Sequence, residues 1–301
     1  LKYMEKIIII GAGPAGISAA LYAARANMDP LVINNGIGAL EKAEKIENYY
    51  GLEHPVSGKE LFETGLKQAR ALGVRILDAQ VLGISGFDTF QVKTTAGEFE
   101  TVSVILATGS RRKTPSIPGI KELEGKGVSY CAVCDAFFYR GKDVAVLGNS
   151  DFALHEAEEL APVAGSVAIY TDGKEPDFSK ESPFEVNTMK IQSVDGENQV
   201  AGLRLCGNSS AIEKIQTSYI PVAGVFVAMG TAGSTEMARQ MGAVLTEKGN
   251  IKVNEKMEST IPGLFAAGDC TGGLLQVAKA VYDGAQAGIS ANQYVRSCKT
   301  K

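Results

Sequence analysis

Apolar residues along this chain come in short runs that end in glycine, and runs of that length between glycine turns read as buried strands. Ile7 to Ile10 is a β-branched run suited to a parallel strand, and it feeds directly into Gly11-Ala12-Gly13-Pro14-Ala15-Gly16. An alanine-rich helix is predicted from Ile17 to Ala26, with Leu21 and Tyr22 on one face, and Leu31 to Ile33 is the next strand. Strand, helix and strand make a complete βαβ unit. In that setting the glycines have distinct roles, since Gly11 allows the tight turn, Gly13 the close approach of a pyrophosphate, and Gly16 the packing of helix on strand. The expectation is a dinucleotide site over residues 11 to 16. One detail departs from the usual fingerprint, because the second strand ends in Asn34-Asn35 where an acidic ribose ligand is normal. An asparagine can still bond a ribose hydroxyl, so Asn34 stays a candidate.

The same signature recurs. Val104 to Leu106 ends in Ala107-Thr108-Gly109, and Leu264-Phe265-Ala266-Ala267 ends in Gly268-Asp269 ahead of a helix predicted from Leu275 to Tyr294, interrupted by Gly284 and Gly288. An acid after a strand can hold a hydroxyl of a cofactor's sugar chain, or it can simply cap a helix. Val144 to Leu147 leads into Gly148-Asn149-Ser150-Asp151-Phe152-Ala153, and Val167 to Tyr170 is a further strand. Between Tyr170 and the strand-like Phe184-Glu185-Val186, the residues Gly173, Pro176 and Pro183 leave no room for a helix of useful length. On the helix after Gly148, His155, Glu156, Glu158 and Glu159 read as an exposed polar face. Leu203-Arg204-Leu205 alternates as a strand and carries Cys206.

Length and charge narrow the class. A chain of 301 residues exceeds one average domain, so two units, or one split by an insertion, are expected. The net charge of −4 offers no broad basic field for nucleic acid, and no apolar run approaches the roughly 20 residues of a membrane span. No signal-peptide pattern precedes the first strand, Leu1 to Tyr3 read as a remnant ahead of Met4, and the cysteines lack framework spacing. A reducing cytoplasm is the expected compartment.

The chemistry concentrates at Cys131-Ala132-Val133-Cys134-Asp135. Two thiols spaced C-x-x-C close into a small ring and shift their pKa values readily, so the pair can shuttle two electrons. A zinc half-site and an inert buried pair are the alternatives. Zinc needs four ligands, and the remaining candidates, Cys206, Cys270, Cys298, His54 and His155, are scattered without a second pair, so no metal is expected. Asp135 is placed to transfer protons.

Taken together, Gly11 to Gly16, Glu47-Asn48-Tyr49, Ala107-Thr108-Gly109, Cys131 to Asp135 and Phe265 to Asp269 occur in the order of the low-molecular-weight flavin thioredoxin reductases, which the chain resembles over most of its length. The resemblance implies an α/β, two-domain flavin disulfide reductase fold. Its Rossmann-like FAD domain would span residues 1–115 and 222–301, interrupted at 116–221 by a smaller central domain carrying the cysteines. FAD is the implied cofactor, held by Gly11, Gly13, Pro14, Ala15, Gly16, Asn34, Asn48, Thr108, Gly109, Gly268, Asp269, Gln276 and Val277. Cys134 would face the flavin, Cys131 would meet thioredoxin, and Asp135 would be the general acid and base. A homodimer is implied as well.

Against that family the central domain looks altered. Its nicotinamide loop has three successive glycines where this chain has Gly148-Asn149-Ser150, and Phe152 adds bulk; the histidine and arginines that grip a 2′-phosphate give way to Thr171-Asp172-Gly173. Asp172 repels that phosphate but suits a 2′-hydroxyl, which excludes NADH less than NADPH. An arginine expected before Gln276 is replaced by Leu275. The chain thus resembles the pyridine-nucleotide-independent, ferredoxin-dependent branch, which implies two single-electron deliveries to FAD and then a two-electron transfer to the disulfide. Ferredoxins are acidic, so Arg111-Arg112-Lys113, and also Arg140 and Lys142, are candidate landing residues. An NAD(P)H-dependent reductase and a non-enzymatic flavin-bound redox sensor are the alternatives.

Overall fold

The computed structural model describes residues 4–109, 115–206, 217–230 and 233–298. The chain divides into two compact units, Leu1–Arg112 with Gly233–Lys301, and Lys113–Ala232. No helix among the described residues is long and apolar enough to cross a membrane.

In the first unit β1 (Met4–Ile10) passes through the glycine loop to α1 (Pro14–Arg25) and β2 (Leu31–Asn34), and α2 (Gly58–Ala71) leads to β3 (Arg75–Asp78). β4 (Val81–Ser85), β5 (Phe90–Thr94) and β6 (Gly97–Leu106) follow. β1 lies between β2 and β6 and pairs in parallel with both, so Ile7, Ile8 and Ile9 are fully buried. That is why the strand is apolar on both faces instead of alternating.

The second unit begins with β7 (Val128–Ser129), the single turn α3 (Ala132–Asp135), β8 (Asp143–Leu147), α4 (Asp151–Leu160) and β9 (Ser166–Tyr170). β10 (Glu185–Asn187), β11 (Lys190–Asp195), β12 (Gly202–Cys206), β13 (Thr217–Pro221) and β14 (Gly224–Val227) complete it. A parallel five-stranded sheet runs β10-β9-β8-β14-β7, beside an antiparallel sheet of β11, β12 and β13. The chain then re-enters the first unit with α5 (Ser234–Gln240), β15 (Leu264–Ala266) and α6 (Val277–Cys298). There the sheet order is β3-β2-β1-β6-β5-β4, with β15 on the C-terminal part of β6.

Three expectations change. The return to the first unit falls at Gly233 and not near Val222, because β14 pairs residue for residue with β8, from Gly224 on Val144 to Val227 on Leu147. Gly284 and Gly288 do not interrupt α6. They seat it against α1, where a Cβ would lie 2.0 Å from the Ala15 carbonyl oxygen and 2.6 Å from that of Ala19. His155 and Glu156 are not on an exposed face, being 5% and 1% exposed. As expected, no helix forms between β9 and β10.

Candidate active site

In the second unit Cys131 and Cys134 are joined by a disulfide. The extended backbone at Cys131 starts α3, and its sulfur accepts the Cys134 amide proton at 3.1 Å. Two carboxylates hold this turn. The Ser129 hydroxyl donates to Asp135 Oδ2 at 2.6 Å and accepts the Cys131 amide at 3.1 Å, which ties the acid to the first cysteine through one buried side chain. From α4, Glu156 Oε2 accepts the Ala132 amide at 2.7 Å. Neither Ser129 nor Glu156 was legible as a site residue, since a small polar residue in a strand and an acid among other acids on a helix carry no signal of their own. Cys131 is buried and Cys134 half-buried, whereas Val133, Phe137 and Phe138 just beyond them are exposed. Arg140 stacks over the Phe137 ring at 5.5 Å, and Lys142 lies 5.9 Å from the centre of Tyr139. Burial, reinforced by Asp135, raises the Tyr139 phenol above its usual range.

In the first unit the glycine loop has a cradle's geometry. Gly11 has φ +110°, and a Cβ there would meet the Ala107 carbonyl oxygen at 2.4 Å; at Gly16 it would lie 1.8 Å from the Gly11 carbonyl oxygen. Gly13 differs, having ordinary φ of −72° and no described residue within 4 Å of its added Cβ. No side chain caps α1, Pro14 occupies its first turn, and no acid lies there. An open, uncapped helix start beside a glycine turn fits a pyrophosphate, whose charge the helix dipole favours.

The Gly268-Asp269 turn sits at the end of β15. Asp269 is half-buried, and burial above all raises its pKa, with Asp283 acting the same way and Lys279 opposing. Beneath it Lys279 donates to the Gly268 carbonyl at 2.8 Å and pairs with buried Asp283 at 2.6 Å. Asp283 in turn accepts the Gly268 amide, which holds the turn. Asn48 donates to Gln276 Oε1 at 3.1 Å, so two residues far apart in sequence meet at an exposed place next to Val277, the first residue of α6. Thr108 is committed elsewhere: its hydroxyl accepts the Ser234 amide at 2.8 Å and contacts the Ser234 hydroxyl, and its own amide donates to that hydroxyl at 3.1 Å, so the residue is tied to the start of α5. Asn34 is also committed, through its amide donating to Asp78 Oδ1 at 2.7 Å. Cys270 is fully buried and burial pushes its thiol up to about 12. At pH 8 only about one Cys270 in ten thousand would be thiolate, so iodoacetamide should label Cys131 and Cys134 of the reduced protein while Cys270 stays unmodified, as peptide mass mapping would record.

The loop after β8 does not stand open. Segment 175–179 lies along it: the Asp177 amide donates to the Asn149 carbonyl at 2.6 Å, and the Asn149 side chain donates to the Glu175 carbonyl at 3.0 Å. Ser179 gives both its amide and its hydroxyl to Asp151 Oδ1, at 2.8 and 3.0 Å, on the first turn of α4. The Ser150 hydroxyl bonds the Gly230 carbonyl at 2.9 Å. Phe152 does not crowd the loop as expected, because its side chain is fully buried in the core. Asp172 does not await a ribose either: Oδ1 accepts the Ile191 amide at 3.0 Å and Oδ2 pairs with Lys190 at 2.8 Å. Arg111, Arg112 and Lys113 lie outside the described residues.

Residues 5–284 match the family model described as pyridine nucleotide-disulphide oxidoreductase. A thioredoxin reductase of Aquifex aeolicus is 37% identical over 87% of this chain and 84% of its own. Among solved structures, the atypical thioredoxin reductase TRi of Desulfovibrio vulgaris Hildenborough superposes with a TM-score of 0.88 at 38% identity, covering 98% of this chain and 99% of that one. A ferredoxin-flavin thioredoxin reductase of Clostridium acetobutylicum gives 0.70 at 32% identity over 98% of both chains.

Proposed function

Because the chain belongs to the pyridine nucleotide-disulphide oxidoreductase family, among its thioredoxin reductases, we propose that it reduces thioredoxin with electrons supplied by a reduced ferredoxin instead of NADPH. FAD is its cofactor. The loop of residues 11–16, the turn at Gly109 and Asp269 with Gln276 and Val277 would hold it, and when bound it supplies the electron pair that opens the disulfide.

The chain's own groups do the remaining chemistry. Once reduced, Cys131 attacks the disulfide of thioredoxin; its sulfur bonds one partner sulfur and the other leaves as thiolate. Asp135, steadied by Ser129, gives that leaving thiolate a proton. Cys134 then attacks the Cys131 sulfur, releases reduced thioredoxin and restores the disulfide. Since Cys131 is buried when oxidised, it must be uncovered before the first attack. Val133, Phe137 and Phe138, exposed beside the pair, suit the apolar part of a protein partner's surface.

The observation that carries the choice of donor is the segment 175–179, bonded across the loop and the first turn of α4 where a nucleotide pyrophosphate would lie in this fold. A nucleotide would have to displace these bonds, and Asp172, tied to Ile191 and Lys190, has no free oxygen to offer its ribose. The solved relative described as a ferredoxin-flavin thioredoxin reductase supports the same donor class. Arg140 and Lys142, exposed on the second unit, suit an acidic donor. Anaerobic stopped-flow mixing tests the point: millimolar NADPH or NADH should leave the oxidised flavin spectrum intact over minutes. Bleaching within seconds would make the enzyme an NAD(P)H-dependent reductase.

A further inference from the structure

The ribose acid missing after β2 is supplied by the neighbouring strand: we infer that Asp78, held by Asn34, takes the adenosine ribose of the flavin dinucleotide. In a dinucleotide fold the ligand lies outside the carboxyl ends of the parallel strands, and an acid there accepts hydrogen bonds from the ribose hydroxyls. Asn34 occupies that place on β2 but has no accessible oxygen with which to accept from a ribose hydroxyl. A carboxylate only accepts hydrogen bonds, so the amide nitrogen of Asn34 must face Asp78, and it does so at 2.7 Å. Its oxygen is thereby turned inward, buried and without a partner among the described residues.

Asp78 stands in the opposite situation. It pairs with Asn34 as the last register step between β2 and β3, so the two residues share the same carboxyl edge of the sheet. It is exposed, and of its two oxygens Oδ1 takes the Asn34 amide while Oδ2 has no hydrogen bond to any described residue. Moving the acid one strand over keeps a carboxylate within the crevice, and the Asn34 amide fixes its rotamer. An aspartate at both positions would set two like charges within hydrogen-bond distance, which accounts for the asparagine in place of the usual acid. The inference takes FAD as the cofactor and does not depend on which donor reduces it.

The test is the rate at which the purified holoenzyme releases flavin after dilution, followed by the rise of free-flavin fluorescence. Asp78→Ala should release FAD roughly ten- to a hundredfold faster, the scale of one charge-assisted hydrogen bond, and Asp78→Glu should recover part of the loss. The same pair is then compared after reconstitution with a flavin dinucleotide whose adenosine carries no 2′- or 3′-hydroxyl. With that analogue the native protein and Asp78→Ala should release at the same rate, because the contact being removed is already missing. The inference is overturned if Asp78→Ala releases FAD at the native rate. It is equally overturned if the substitution speeds release of both dinucleotides alike, for then Asp78 only props the strands. A native protein that holds no flavin would instead contradict the cofactor itself.

Discussion

Gly13→Val folds and emerges from purification colourless. No described residue lies within 4 Å of a Cβ at that position and its φ of −72° is open to any residue, so valine costs the fold little. The space it fills is the one through which the pyrophosphate must approach the uncapped start of α1. Each charge-assisted hydrogen bond lost there is worth about 1.5–3 kcal/mol, and losing two of them lowers flavin affinity by roughly a hundredfold or more. Gly16→Val behaves differently. Its Cβ would sit 1.8 Å from the Gly11 carbonyl oxygen, a backbone atom that cannot swing aside, and overpacking of this kind costs about 1–3 kcal/mol or more against a total stability of about 5–15 kcal/mol. That variant should be poorly expressed or unfolded by circular dichroism, whereas Gly13→Val should keep a cooperative melt. Flavin absorbance at full occupancy in Gly13→Val would contradict the cradle.

Removing either cysteine of the pair abolishes thioredoxin reduction, yet the two variants fail at different steps. With Cys134→Ala, Cys131 remains to attack but nothing resolves the product, so a mixed disulfide with thioredoxin accumulates and runs as a covalent heterodimer on a non-reducing gel. With Cys131→Ala, a thioredoxin lacking its own resolving cysteine should form no such adduct. If the adduct follows the other substitution, the roles of the two sulfurs are exchanged and Cys134 is the thiol that meets the partner. Glu156→Gln and Ser129→Ala retain both sulfurs and should retain the adduct chemistry, since their hydrogen bonds position the turn without reacting.

The fold was readable where side-chain period and backbone need coincide. Ile7 to Ile10 cannot be anything but a strand covered on both faces, and Gly11 and Gly16 can be replaced only by moving backbone, so the βαβ unit announces itself. The cysteine motif was equally plain, because its spacing alone permits a disulfide. What stayed hidden depends on contacts between distant parts of the chain. Glu156 looks like one acid among several on a surface helix until the Ala132 amide is seen to donate to it. Asp172 looked available to a ribose until β11 claimed both its oxygens, and Phe152 looked like an obstruction until it turned inward. The end of the central unit is not legible in the sequence because β14 is a four-residue apolar strand whose partner, β8, lies far back in the chain. A run that short carries no mark of which sheet it will join.

One measurement bears most directly on the account: anaerobic turnover of thioredoxin by the purified flavoprotein, with photoreduced ferredoxin in one vessel and NADPH or NADH in the other. Ferredoxin should drive continuous thiol formation, at a rate that falls as added salt shortens the Debye length from about 30 Å at 0.01 M to about 10 Å at 0.1 M, and the nicotinamides should drive none. Rapid thiol formation with a nicotinamide and none with ferredoxin would contradict it.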